Sequence, residues 1–198
     1  DRRDSGDIYV NGKRVDIKNP QDAVDAGIGY LSEDRKRYGV IIEKTVAENT
    51  TMASLKAFCK GLFIDKNAEK ETAEQYVEAL KTKTPSVEQQ VRNLSGGNQQ
   101  KVVIAKWLTR NCDILIFDEP TRGIDVGAKY EIYCIMNEMV KEGKAVVMIS
   151  SELPELLGMC DRIYIMNEGR LVGELEASKA TQERIMDKIL SSNDEKEN

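Results

Sequence analysis

Residues 94–120 read LSGGNQQKVVIAKWLTRNCDILIFDEP, and this stretch decides the fold. A serine and two glycines open it. KVVIAKWL then carries helical spacing that ends near Asn111, and DILIFD is an unbroken apolar run closed by acids. Apolar runs of that kind are strands buried on both faces, as in parallel sheets. Ser95 is a favoured helix cap, and Gly96 and Gly97 permit close approach of the backbone. The helix behind them points unsatisfied N–H groups outward, which makes an anion site. The same residues also suit an ordinary capped helix after a glycine turn. The strand delivers Asp118 and Glu119 to its carboxyl end, where α/β sheets place their ligands. An aspartate there can hold magnesium through water, and a neighbouring carboxylate can orient or deprotonate an attacking water. A solvated acidic strand end before Pro120 is the plainer alternative.

Working outward, IYVNGKRVDI at residues 8–17 is two short strands around an Asn-Gly turn, a strong hairpin signal. GIGYLS at 27–32 reads as a strand and EDRKRYG after it as a charged loop. From about Val46 to Lys83 the spacing is helical. Met52, Leu55 and Cys59 fall on one face, and Ala73, Tyr76, Val77 and Leu80 on another. TPS at 84–86 ends that stretch. Beyond the acidic strand, Ile132, Ile135, Met136, Met139 and Val140 line an amphipathic helix stopped by Gly143. AVVMIS and RIYIM read as further buried strands, EGRLVGEL as a turn and strand, and residues 181–190 as a last helix before a frayed SSNDEKEN tail. Alternation of strand and helix predicts an α/β fold around a parallel sheet.

Composition narrows the function. The 198 residues carry a net charge of −5, which argues against non-specific nucleic-acid binding. Histidine is absent, which removes Ser-His-Asp and Cys-His catalysis and most zinc sites. Cys59, Cys112, Cys134 and Cys160 match no metal or CxxC spacing and are expected as buried, reduced thiols of a cytosolic protein. No apolar run approaches a membrane span and nothing resembles a signal peptide. The opening Asp1 suggests an excised piece of a longer chain.

LSGGNQQ, ILIFDEP and TRGIDVGAK, in that order and close together, resemble the signature motif, Walker B strand and D-loop of the ATP-binding cassette family of transport ATPases. The resemblance runs to about Leu175. It implies a P-loop NTPase-like (RecA-like) fold: a mostly parallel sheet with a small β-hairpin subdomain and a helical subdomain. It also implies ATP and Mg2+ as cofactors. The signature residues Leu94, Ser95, Gly96, Gly97, Asn98 and Gln99 would face ATP held by a partner half. Asp118 would hold the metal through water, Glu119 would be the catalytic carboxylate, and Asp125 stands at the D-loop aspartate. The corresponding division is a β-rich lobe and Q-loop region at 1–45, a helical subdomain at 46–94, a signature and Walker B core at 95–176, and a C-terminal helix and tail at 177–198.

GIGYLSEDRKRYGV and EPTRGIDVGAKYEIY are similar to the monosaccharide importers, whose ATPase polypeptide couples two nucleotide-binding halves. The EDRK wording resembles the second half. Glu33 stands where most members carry the Q-loop glutamine, and Ser151 stands at the switch position where most carry histidine. Serine cannot supply a cation near a developing γ-phosphate, so hydrolysis through Asp118, Glu119 and Ser151 is in doubt. No phosphate cradle of the form GxxxxGK followed by Ser or Thr occurs in the sequence. Lys13 and Lys144 each follow a glycine but lack the other glycine of such a loop. The resemblance therefore implies an N-terminally truncated domain that binds MgATP weakly by itself and leaves strand edges unpaired, with a homodimer of the piece as one way to cover them. Implied partners are membrane permease subunits, the other nucleotide-binding half and, indirectly, a periplasmic or extracellular sugar-binding protein. The place of action is the cytoplasmic face of the membrane. Apolar exposure among Val40, Ile41 and Val46 would mark permease docking. The competing readings are a soluble cassette ATPase acting on nucleic acid or ribosomes, and an interaction module without catalysis.

Overall fold

The computed structural model describes residues 4–194, with side chains through residue 192; the predicted frayed tail at 191–198 is helical as far as Asp194, and the rest of it lies outside the described residues. The chain divides into two compact units, one ending at Ile149 and one beginning at Ser150.

The first unit opens with an antiparallel hairpin, β1 (Ile8–Val10) and β2 (Lys13–Val15). Its turn residues Asn11 and Gly12 both have positive φ, 50° and 73°, as a two-residue turn matched to strand twist requires. Helix α1 (Pro20–Asp25) starts with a capping box: Asn19 accepts from the Asp22 N–H while Asp22 takes the Asn19 N–H. Strand β3 (Ile28–Leu31) follows. The charged loop after it is ordered: residues Arg35–Gly39 form one π-helical turn capped by Asp34.

Helix α2 (Val46–Thr51) carries a second capping box, between Thr45 and Glu48. Asn49, fully buried, accepts from the Ile41 N–H and donates to the carbonyls of Ile41 and Thr45. The continuous helical stretch expected from 46 to 83 is interrupted. A 3-10 segment spans Met52–Phe58, and a short hairpin follows, β4 (Cys59–Lys60) and β5 (Phe63–Ile64). Gly61, at φ 65°, makes its turn. Cys59 is therefore on a strand and exposed, not on a helix face with Met52 and Leu55. Helix α3 (Lys66–Ala79) resumes the pattern and buries Ala73.

The motif stretch folds as its spacing predicts. Helix α4 (Gly96–Thr109) leads to β6 (Ile114–Asp118), then α5 (Val126–Lys141) and β7 (Ala145–Ile149). The sheet is parallel with order β3-β6-β7. Central β6 buries Leu115 and Phe117 completely, and Ile104 of α4 and Ile132 and Met136 of α5 are buried as well; truncating Phe117 to alanine costs about 3–5 kcal/mol. Two expectations fail at the margins. Val140 faces solvent, because α5 packs through Ile132, Met136 and Met139 alone at full burial. Strand β7 is not buried on both sides: Val147 and Ile149 are each 48% exposed, and β6 is its one partner among the described strands.

The second unit is separate in composition. Helix α6 (Leu153–Met159) precedes an antiparallel pair, β8 (Arg162–Asn167) and β9 (Arg170–Glu176), and α7 (Gln182–Asp194) packs on it. Its core is Ile163, Ile165 and Ile185. RIYIM is thus a half-buried antiparallel strand, with Tyr164 and Met166 outward, and its alternation is the period-two signal of such a strand. Of the cysteines, only Cys112 is buried; Cys59 and Cys134 are exposed and Cys160 intermediate, and all four are free thiols. No described helix is long and apolar enough to cross a membrane.

Candidate functional site

Three chain segments meet beside the carboxyl ends of β3 and β6: residues 30–39, 94–99 and 118–125. Strand β6 ends at Asp118, whose Oδ2 accepts a hydrogen bond from the Tyr30 hydroxyl at 2.5 Å. That bond, with partial burial, raises the Tyr30 phenol above its ordinary value. Glu119 follows with φ at 45°, although Pro120 comes next and Glu119 has a Cβ. Left-handed backbone at such a residue is strained and persists only where its surroundings impose it. Here the Glu119 N–H is held by the Ile149 carbonyl at 2.9 Å. The chain then turns tightly: the Arg122 N–H meets the Glu119 carbonyl and the Ile124 N–H that of Thr121, with Gly123 at φ 67°. Asp125 caps α5 by accepting from the Ala128 N–H at 3.0 Å. Glu33 is exposed and ion-paired with Arg122.

The segment before α4 divides into exposed and structural residues. Ser95 occupies the cap position, yet its side chain makes no cap hydrogen bond to the helix backbone. Its Oγ instead accepts from Asn98 Nδ2 at 2.8 Å, and Asn98 Oδ1 accepts from the Lys83 N–H at 2.8 Å. Ser95 stays exposed. Leu94 and Gln99 are buried. Gln99 turns inward and donates to the carbonyls of Val91 and Leu94, so its amide holds this chain's own loop. The glycines also serve internal packing. A Cβ at Gly97 would stand 2.5 Å from the Ala128 Cβ, and one at Gly96 would stand 2.6 Å from Arg35 Nη2 and 3.3 Å from the Gly123 carbonyl oxygen. Their close backbone approach is to the 122–128 segment.

Two buried lysines fix α4, and sequence reasoning did not single out either. Lys101 pairs with Glu131 of α5 at 2.7 Å and donates to the Lys81 carbonyl at 2.9 Å. Lys106 donates to the Gly39 carbonyl at 2.6 Å, and burial pushes its ammonium down to about 8. Tyr30, Arg35 and Arg122 were missed too. The one available signal was cations inside the apolar run KVVIAKWL, where a lysine needs a reason to be buried.

Ser151 is exposed and belongs to the second unit. Apolar exposure at the expected docking residues is confined to Ile41, since Val40 and Val46 are buried. The larger exposed pair is Leu62 and Phe63, at the β4–β5 turn.

A magnesium ion fits Asp118 only in part. Among the described residues no group of three carboxylates, cysteines or histidines converges on a metal position. Asp118 suits a cation that keeps its waters and takes its other ligands from phosphate oxygens.

Fold and site together define a class. The ABC transporter family profile matches residues 1–122, more than half of the chain, and the chain belongs to that family. Solved ATP-binding cassettes share the fold. A nucleotide-free cassette of an ABC transporter superposes with a TM-score of 0.74 at 24% identity, over 95% of this chain and 74% of its own. A dimeric cassette in a post-hydrolysis state with ADP and Pi gives 0.73 at 21% identity, over 89% and 75%. Among relatives, a protein of Burkholderia lata named for ribose, galactose and methyl galactoside import is 59% identical over 184 residues. A xylose import ATP-binding protein of Thermoanaerobacter pseudethanolicus is 55% identical over 184 residues, and a ribose import ATP-binding protein of Clostridium tetani 51% over 186. These alignments cover 92%, 93% and 93% of this chain. The chain spans 36–37% of the length of these relatives.

Proposed function

We propose that the chain is part of the ATP-binding subunit of a monosaccharide importer, and that it is the second of two nucleotide-binding halves, without its own phosphate cradle. Relatives named for ribose, galactose and xylose import support the substrate class. The departures at Glu33 and Ser151 support the second half. In the importer it works at the cytoplasmic face of the membrane with permease subunits, the other half and, indirectly, a sugar-binding protein. ATP and Mg2+ are the cofactors.

The observation that carries this reading is the exposed Ser95 hydroxyl at the start of α4. Asn98 donates to Ser95 Oγ and is pinned by the Lys83 N–H. A hydroxyl has one hydrogen and two lone pairs, so the Ser95 hydrogen remains to be donated. With the first N–H groups of α4 it makes a contact for a terminal phosphate presented by another half. The Asp118–Glu119 side of this chain is the weaker site, because Glu33 is engaged by Arg122. In the reconstituted importer Ser95→Ala is expected to cut ATP-driven sugar uptake about tenfold or more. Glu119→Gln in this half should cost much less. An equal or reversed ranking refutes the assignment.

A further inference from the structure

We propose that Arg35 is a positioning residue for the Ser95 loop, clamping it to the 121–125 segment so that the two move as one body. The inference rests on the reading of Ser95 given above and names what holds that residue in place.

Arg35 Nη1 donates to the Arg122 carbonyl at 3.0 Å. Its Nη2 lies so close to Gly96 that a Cβ there would stand 2.6 Å away, and the Gly123 carbonyl oxygen sits 3.3 Å from the same point. The planar guanidinium is therefore wedged between the first residue of α4 and the turn after Glu119. Its Nε is buried without a hydrogen-bond partner, and among the described residues it forms no carboxylate ion pair. A half-buried cation with an unpaired donor is costly and calls for a reason. Solubility is not that reason, since Lys36 and Arg37 on the same turn are exposed. The far end of the turn is fixed on the same helix. A Cβ at Gly39 would stand 3.1 Å from Val103, and the Gly39 carbonyl accepts from Lys106. The Arg35–Gly39 turn is thus a strap along α4, and Arg35 extends it to the turn that follows the acidic strand. Lysine does not replace this contact: it keeps the charge but has no flat face to lie against a glycine Cα and no fork of donors.

Two measurements test the clamp. In the 198-residue chain, hydrogen exchange should quicken together at residues 96–99 and 122–125 in Arg35→Gln, and stay unchanged in the control Lys36→Gln, with Trp107 fluorescence confirming that each variant is folded. In the reconstituted importer, Arg35→Gln should lower kcat for ATP hydrolysis about tenfold or more, as displacing a contact by around 1 Å does. KM for ATP should stay within about twofold, because the main phosphate contacts lie in the other half. Arg35→Lys should recover less than half of the loss. Gly96→Ala, which displaces the guanidinium, should match it, and the double variant Arg35→Gln/Gly96→Ala should be no worse than the poorer single. Unchanged exchange in either segment, or additive losses in the double variant, overturns the clamp. Should Ser95→Ala leave kcat unchanged in the same assembly, the functional reading of the loop fails, and the exchange result still decides the clamp.

Discussion

Replacing Lys106 by methionine should change how stability depends on pH. Lys106 is 7% exposed, its ammonium donates to the Gly39 carbonyl, and burial lowers its pKa from 10.5 to about 8. Below pH 8 both folded and unfolded chains carry the proton, and the folded state bears the full cost of the buried charge. Between 8 and 10.5 the unfolded chain binds more protons, so stability of the native sequence rises with pH. At about 1.4 kcal/mol per pH unit, the interval to pH 10 amounts to roughly 2–3 kcal/mol. Lys106→Met has no such group. At pH 7 it loses the partner of the Gly39 carbonyl, at about 1–3 kcal/mol, and sheds a buried charge of comparable cost, so the two proteins should differ by about 1 kcal/mol or less. At pH 10 the native sequence should be ahead by roughly 2–3 kcal/mol. Trp107, the one tryptophan, has its ring 5.0 Å from Lys106 Nζ, so urea unfolding followed by its fluorescence reads the right unit. A difference between the two proteins that stays constant from pH 7 to pH 10, or shrinks, would refute the reasoning.

Gly97→Ala should destabilise the chain by about 1–3 kcal/mol through overpacking, because its Cβ would meet Ala128 at 2.5 Å. Adding Ala128→Gly should restore more than half of that loss in thermal melts; no recovery would mean that backbone approach to α5 is not the constraint. Asn49→Ala leaves the Ile41 N–H without a partner and takes one of two donors from each of the Ile41 and Thr45 carbonyls, which keep the Lys44 and Asn49 N–H groups, and should cost about 1–3 kcal/mol in urea denaturation. A loss below about 1 kcal/mol would show that water replaces the amide.

How much of this was legible in the sequence depended on the range of the interaction. The hairpin at Asn11-Gly12, the end of α4 near Asn111 and the acidic end of β6 follow from turn, cap and periodicity rules that act within a few residues. The interrupted helix at 59–64 was missed because Cys59 continues an apolar spacing that a glycine turn at Gly61 overrides. Val40 and Val46 resembled surface residues in a charged context and are buried, next to a 41–45 loop that the Asn49 side chain ties back to α2.

The sequence by itself determined the parallel α/β order and the family, since strand period, helix spacing and three short motifs are local and linear. Only the tertiary structure decided which motif residues face outward. Ser95 is presented while Gln99 turns in, Gly97 is packed by Ala128 rather than open to a ligand, and Asp118 is engaged by Tyr30. The physical reason is distance along the chain: Arg35 and Arg122 are 87 residues apart, and Tyr30 and Asp118 are 88. No local propensity encodes a hydrogen bond across such a gap; the packing of β3, α4 and β6 brings its two ends together.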